Sequence, residues 1–243
     1  MNILLFTQED ILEKSDDHVR INITGNRFKH IQSVQEFSLG DEIRIGEING
    51  LRGKGKIVKV ESESLIVEGH INQQAPKPSS AKLIMAMPRP IMLKRILVDV
   101  AMLGIKEIVL LQSTHVQKSY WTSKLFANND IENYLLKGLE QSCDTRLPTV
   151  HIRKRFKTFV EDELKDFADA EPLTTNIFLA HPSAERPCPQ PAQNPFTLIV
   201  GPENGFTPYE VDLFVANGAQ AVTVGERHLR VETAVTYLLG RLL

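Results

Sequence analysis

The sequence predicts an α/β protein: a mostly parallel sheet with helices, preceded by a small all-β domain. Three observations carry this. Short alternating segments with Gly turns between them fill residues 1–72. From Ala81 onward, strand-like apolar runs alternate with runs of helical periodicity. Between the two lies a polar, Pro-rich stretch, residues 73–80, which reads as a linker and divides the chain into 1–72 and 81–243.

The elements follow in order. In the first part, Val19-Arg20-Ile21-Asn22-Ile23 alternates, residues 28–34 suit a short helix, and Ser38-Leu39-Gly40-Asp41 is a turn. Strands are expected over residues 42–45, 54–60 and 64–68, enough for a small barrel. In the second part, residues 82–87 form a strand stopped by Pro88 and Pro90. Leu93, Ile96, Leu97, Val100 and Leu103 then fall at helical spacing, with Gly104 placed to end the helix. Residues 105–111 are almost continuously apolar, as in a strand buried on both faces of a parallel sheet. Helices are expected over 131–142 and 156–167, with strands at 150–152 and 176–181. Pro182, Pro187, Pro189, Pro191 and Pro195 mark a connection that cannot be helical. Residues 196–200 form a strand, and the next helix is fully punctuated: Thr207 at N-cap, Pro208 at N1, Glu210 completing a capping box, Gly218 beyond the end. A strand at 221–224 and a terminal helix presenting Val231, Ala234, Val235, Leu238 and Leu242 close the chain.

With 42% apolar and 24% charged residues, the chain can bury a proper core. The start, Met1-Asn2-Ile3-Leu4-Leu5-Phe6, lacks a basic region and has too short an apolar run for a signal peptide. No window approaches the ~20 apolar residues of a membrane span. The only cysteines, Cys143 and Cys188, are far apart with no CxxC or Cys/His cluster, so neither disulfide nor zinc is indicated and a cytoplasmic location is expected. Net charge is −2, but its distribution is uneven. Cations concentrate at Arg52-Lys59, Arg89-Arg95, His151-Lys157 and Arg227-Arg230, and acids at 161–163, Asp166, Asp169 and Glu171. A protein that meets RNA on one face has this footprint, and so does one with ordinary solvated charged faces.

Two loops are the candidate site. Residues 197–206 and 224–234 share one grammar: an apolar strand, a Gly-bearing turn, then a helix start. Ligands of open α/β sheets sit beyond the carboxyl ends of the strands, where such loops converge. Gly201 and Gly205 allow backbone to approach a ligand, and the capped helix behind them presents N–H groups. Both GxGxxG and GxxxxGK[ST] are absent, which removes the usual dinucleotide and nucleoside triphosphate readings. In the second loop, Arg227, His228 and Arg230 open a helix. Cations there oppose the helix dipole, a cost more often tolerated where a bound anion compensates. Glu232 in the first turn fits either function or ordinary capping. His30, His115 and His181 are dispersed, and Cys188 has no neighbouring base in sequence.

The segment Leu198-Ile199-Val200-Gly201-Pro202-Glu203-Asn204-Gly205-Phe206, with Val224-Gly225 and Leu229-Arg230-Val231-Glu232-Thr233-Ala234, resembles the two C-terminal motifs of the bacterial 16S ribosomal RNA uridine-N3 methyltransferases. That family belongs to the SPOUT superfamily of trefoil-knotted methyltransferases. His30-Ile31, Gly40-Asp41, Leu103-Gly104-Ile105 and Glu140-Gln141-Ser142 with Arg146 extend the likeness over nearly the whole chain.

The resemblance implies a SPOUT-type knotted α/β domain behind an RNA-binding PUA-like β-barrel, working as a homodimer on small-subunit ribosomal RNA without metal or membrane. It implies S-adenosylmethionine held by Leu179, Val200, Gly201, Glu203, Gly205, Val224, Gly225 and Leu229. Arg230 would stabilise charge on the uridine and Glu232 would orient Arg230 or cap the helix, with Arg227, His228, Arg153 and Arg155 meeting RNA. The chain departs from the family pattern at Asn204, His228, Glu36, Cys143-Asp144 and Pro90-Ile91-Met92-Leu93. The alternatives are a SPOUT enzyme for another RNA position, and a ribosome-binding protein that has lost turnover.

Overall fold

The computed structural model describes residues 2–34, 37–126, 130–168, 176–192 and 195–243; Glu36, Asp169 and Glu171 lie outside them. The chain divides into two compact units, Met1–Lys77 with Leu136–Leu147, and Pro78–Leu135 with Pro148–Leu243.

The first unit contains β1 (Leu4–Phe6), β2 (Ile11–Ser15), β3 (His18–Thr24), α1 (Gly25–Val34), β4 (Glu42–Glu47), β5 (Arg52–Val60) and β6 (Ser64–Gln73). They form one sheet in the order β1-β4-β5-β6-β3-β2, antiparallel except where β1 runs parallel to β4. Alternation places Val19, Ile21 and Ile23 of β3 inward, where they meet Ile45, Ile57, Leu65, Val67 and the α1 residues Phe28 and Ile31. The expected barrel is therefore only partly formed. Among the described residues no ladder joins the edge strands β1 and β2. β2 is largely exposed and brings little apolar surface that closure would bury. β1 and β2 were not foreseen from sequence.

The second unit contains β7 (Lys82–Ala86), α2 (Pro90–Met102), β8 (Glu107–Leu111) and two 3-10 turns (Lys118–Thr122 and Lys124–Phe126). After α3 (Asp130–Ser142), whose end belongs to the first unit, come β9 (Thr149–Arg153), α4 (Phe156–Thr158), a π turn (Phe159–Glu163) and α5 (Leu164–Phe167). The chain ends with β10 (Asn176–Ala180), β11 (Phe196–Val200), α6 (Pro208–Ala216), β12 (Gln220–Val222) and α7 (Val231–Leu242). The sheet is wholly parallel in the order β12-β10-β11-β7-β8-β9. Ile108 to Leu111 are fully buried, as the continuous apolar run demands. α2 buries Leu93, Ile96, Leu97 and Val100, the residues at helical spacing. α7 buries Val231, Val235, Leu238, Leu239 and Leu242, and packs against α2 and β11.

The strand order turns back on itself. From β9 at one edge the chain moves to β10, then inward to β11, and finally past β10 to β12 at the other edge. The β10–β11 connection lies along β12: Cys188 N–H donates to Thr223 O and Thr223 N–H to Arg186 O, both at 2.8 Å. It also holds the terminal helix, through Arg241 Nε to Cys188 O and Ala192 N–H to Leu242 O, both at 3.0 Å.

Candidate functional site

A reversal of strand order leaves the loops at the carboxyl ends of adjacent strands splayed apart, and a crevice forms there. Here β10, β11 and β12 end side by side, and a cavity of about 950 Å³ opens between their loops. That is at the upper end of the range for small-molecule sites, about 300–1,000 Å³. Ala180 to Ser183, Val200 to Phe206 and Val222 to Gly225 line it, with Arg89 and Met92 from the start of α2 and Arg227 to Glu232 leading into α7.

The first loop is held from three sides. Gly201 sits against Phe206, so that a Cβ there would lie 3.2 Å from the ring and 3.4 Å from Gly205 Cα. Phe206 is 7% exposed and packs on Phe214 with ring centroids 5.2 Å apart, while Gly205 takes φ +68° to make the turn. Glu203 Oε1 accepts from Arg89 N–H at 3.0 Å and ties the loop to the start of α2. His115 Nδ1 lies 2.9 Å from Gly205 O and fastens the far side.

Behind the loop, α6 begins with the capping box that the sequence predicts. Thr207 Oγ1 accepts from Glu210 N–H at 3.3 Å, and Glu210 Oε2 accepts from Thr207 N–H at 2.8 Å. The structure adds what the motif does not contain. Glu210 is 2% exposed, and its Oε1 also accepts from Thr114 N–H (2.7 Å) and Thr114 Oγ1 (2.9 Å). One buried carboxylate thus joins the β11 loop to the loop after β8.

The second loop is open. Gly225 has φ +117°, its N–H donates to Thr223 Oγ1 at 3.2 Å, and residues 225–230 are all exposed. Arg230 is the N-cap of α7 without a side-chain cap bond. Among the described residues, Arg89, Arg227, His228 and Arg230 have no ion-pair partner, and Glu232 does not pair with Arg230. Unpaired cations at a helix start, beside a cavity, form a receptor for negative charge. Cys188 is 1% exposed and does not line the cavity. Burial raises its thiol pKa, against a smaller lowering by Arg241, so it stays protonated and is no nucleophile.

Of the residues singled out from sequence, Val200, Gly201, Glu203, Gly205, Val224, Gly225, Arg227, His228, Leu229, Arg230 and Glu232 line this one cavity. Leu179 is fully buried in β10 and does not; its neighbours Ala180 and His181 do. Arg153 ends β9 at the opposite sheet edge, where its Nε donates to Glu163 Oε2 at 2.6 Å, and Arg155 is exposed just beyond. Glu140-Gln141-Ser142 belongs to the first unit, in which Gln141 O accepts from Asn2 Nδ2 at 2.7 Å. Sequence reasoning missed Arg89, Met92 and His181 as lining residues. The signal was present for Arg89, since Met87-Pro88-Arg89-Pro90 is a third strand–turn–helix junction.

No helix among the described residues is long and apolar enough to cross a membrane, and none of their His, Cys, Asp and Glu groups could hold a metal. Residues 75–243 match the model of a family described as an RNA methyltransferase domain. The chain is 31% identical over 235 residues to ribosomal RNA small subunit methyltransferase E of Treponema pallidum (strain Nichols), covering 96% of this chain and 87% of that protein. It is 27% identical over 234 residues to ribosomal RNA small subunit methyltransferase E 1 of Borreliella burgdorferi, covering 96% and 94%. The fold is shared with the crystal structure of ribosomal RNA small subunit methyltransferase E from Neisseria gonorrhoeae bound to S-adenosyl methionine (TM-score 0.74, 18% identity, 99% of this chain and 95% of that one).

Proposed function

Because the chain belongs to the RNA methyltransferase domain family, we propose that it methylates N3 of a uridine in small-subunit ribosomal RNA, using S-adenosylmethionine. The carrying observation is the cavity at the ends of β10, β11 and β12, where a Gly-lined backbone cradle meets unpaired arginines. The cavity is large enough for a nucleoside-sized cofactor. Gly201 and Gly225 bring backbone N–H and C=O groups close without side chains between them, and Met92, Val200, Leu229 and Leu238 supply apolar surface for an adenine. Ala180 and His181, rather than Leu179, are the β10 contribution.

S-adenosylmethionine supplies a methyl on a sulfonium, which departs as a neutral thioether. The chain supplies position and charge. As uridine N3 gives up its proton to solvent water, negative charge spreads onto the flanking carbonyl oxygens. Arg230, free of any ion pair, holds that charge, and Glu232 orients Arg230 once RNA has entered. Arg227 and His228 meet the phosphates beside the target, and Arg153 and Arg155 extend the contact. No covalent intermediate is needed, in keeping with a buried, protonated Cys188.

The remaining family features belong to the same proposal. The β10–β11 connection bonded along β12 and to α7 supports a trefoil knot. Residues 1–72 serve as a PUA-like RNA-binding domain, supported by the exposed cations of β5, Lys54 and Lys56. A homodimer is supported by the exposed Ile91 and Tyr237 of the adjacent helices α2 and α7, and a cytoplasmic location belongs to the same reading. The test is a calorimetric titration with S-adenosylmethionine beside a transfer assay on small-subunit RNA. Arg230→Ala is expected to bind the cofactor and fail to transfer. Absence of cofactor binding in the parent chain would overturn the enzyme reading and leave an RNA-binding module.

A further inference from the structure

The loop after β8 carries a feature that the cavity does not use. Trp121, the sole tryptophan, is half-buried, and its ring is fixed rather than loose. Its indole Nε1–H donates to Gln112 Oε1. The orientation of that amide is set in turn, because Gln112 Nε2 donates to Ser113 O at 2.7 Å and to Val116 O at 3.0 Å. Lys154 Nζ lies over the ring, 5.6 Å from its centroid, and Phe126 packs against it at a tilt with centroids 5.6 Å apart. Lys118 and Lys124, three residues to either side of Trp121 in sequence, and Arg155, next to Lys154, are exposed, and among the described residues none of these cations has a carboxylate partner.

The loop is also keyed to the proposed cofactor site. Thr114 donates twice to Glu210, and His115 Nδ1 meets Gly205 O, so the start of this loop is tied to the turn that ends at Phe206. Both lie at the carboxyl end of the same parallel sheet. A preoriented aromatic ring with unpaired ammonium and guanidinium groups beside it fits a nucleotide of single-stranded RNA: the ring takes the face of a base, and the cations take the flanking phosphates. Acidic protein surfaces would satisfy the cations but leave the ring unused.

We propose that Trp121, with Lys154, Lys118, Lys124 and Arg155, is a stacking site for an unpaired nucleotide of the RNA strand entering the active cavity. This rests on the RNA methyltransferase reading above and adds a second contact to it, distinct from Arg230.

Since Trp121 is the only tryptophan, its fluorescence reports the site directly. The probe is a single-stranded 20-nucleotide RNA taken from small-subunit ribosomal RNA, titrated into the full chain at two salt concentrations. The expected result is quenching on binding, with affinity falling as salt rises. Because the Trp121 variants carry no tryptophan, their RNA affinity is read from the anisotropy of an end-labelled copy of the same RNA; Trp121→Ala should weaken binding about 5- to 150-fold, the range for one lost base stack. Trp121→Phe, which keeps a flat ring, should stay within about 3-fold, and Lys154→Ala should reduce both the affinity and its salt dependence. S-adenosylmethionine affinity, measured by calorimetry, should be unchanged in all three and shows that they are folded. RNA binding with no quenching and no effect of Trp121→Ala overturns the stacking site while leaving the methyltransferase reading intact. Failure of the parent chain to bind both RNA and cofactor overturns both.

Discussion

Replacing Glu210 by Gln removes an acceptor at constant volume. The carboxylate is 2% exposed and satisfies three donors: Thr207 N–H on Oε2, and Thr114 N–H with Thr114 Oγ1 on Oε1. Glutamine has one carbonyl oxygen. If it takes the Oε1 place, the new amide nitrogen faces Thr207 N–H, donor against donor. If it takes the other, the amide nitrogen faces Thr114 N–H, which is stranded, while the Thr114 hydroxyl must turn to accept from it. The better arrangement loses one charge-assisted bond, about 1.5–3 kcal/mol, and weakens two others from charged to neutral strength. A net loss of about 2–4 kcal/mol is expected, or a fall in melting temperature of roughly 5–15 °C at this chain length. Because Glu210 anchors the turn ending at Phe206, cofactor affinity should fall several-fold as well. The assay is thermal unfolding by circular dichroism, paired with a calorimetric titration. The control is Tyr209→Ala, an exposed neighbour expected to stay within about 0.5 kcal/mol. A melting shift under about 2 °C, with unchanged cofactor affinity, would refute the role assigned to Glu210.

Gly201→Val should leave the fold intact and weaken S-adenosylmethionine binding about 10-fold or more, because even a Cβ at this position lies 3.2 Å from Phe206; undiminished affinity in calorimetry would remove Gly201 from the cradle. Glu203→Ala should loosen the β11 loop from the start of α2 and cost about 1 kcal/mol, as for a lost N-cap, read from the urea midpoint at constant slope. Cys188 should resist a thiol reagent in the native protein while the half-buried Cys143 reacts, as separate labelling by mass spectrometry would show. Its folded pKa is raised, so its contribution to stability is full below the unfolded thiol value, roughly 8.5, and is lost as pH rises above that value. Cys188→Ala should accordingly flatten the fall of melting temperature between about pH 8 and 10.

The C-terminal half of the site was readable because its signals are local. Thr207, Pro208 and Glu210 encode a helix start within four residues, and the structure forms it as written. Gly201 and Gly225 likewise mark turns at strand ends. What local reading lacks is sequence-distant pairing. The strand order, which decides that three loops share one cavity, leaves no trace in periodicity. Nor do the Thr114–Glu210 and His115–Gly205 contacts, separated by 96 and 90 residues. β1 escaped notice because three apolar residues fit strand and helix equally, and β2 because its exposed, polar course shows no alternation. Leu179 follows Ile177 and Phe178 in a run buried on both faces of the parallel sheet, and the chain reaches the cavity at Ala180. Glu203, named for the cofactor, reaches the cavity and also caps α2.

The central claim is that this cavity holds a methyl donor while Arg230 faces an RNA uridine. The direct measurement incubates the purified chain with methyl-labelled S-adenosylmethionine and small ribosomal subunits, or their free RNA, from cells lacking the protein, and maps the label by mass spectrometry. The expected result is N3-methyluridine at one position, abolished by Arg230→Ala while cofactor binding persists. Label on another base or atom, or no label with the cofactor bound, would contradict it.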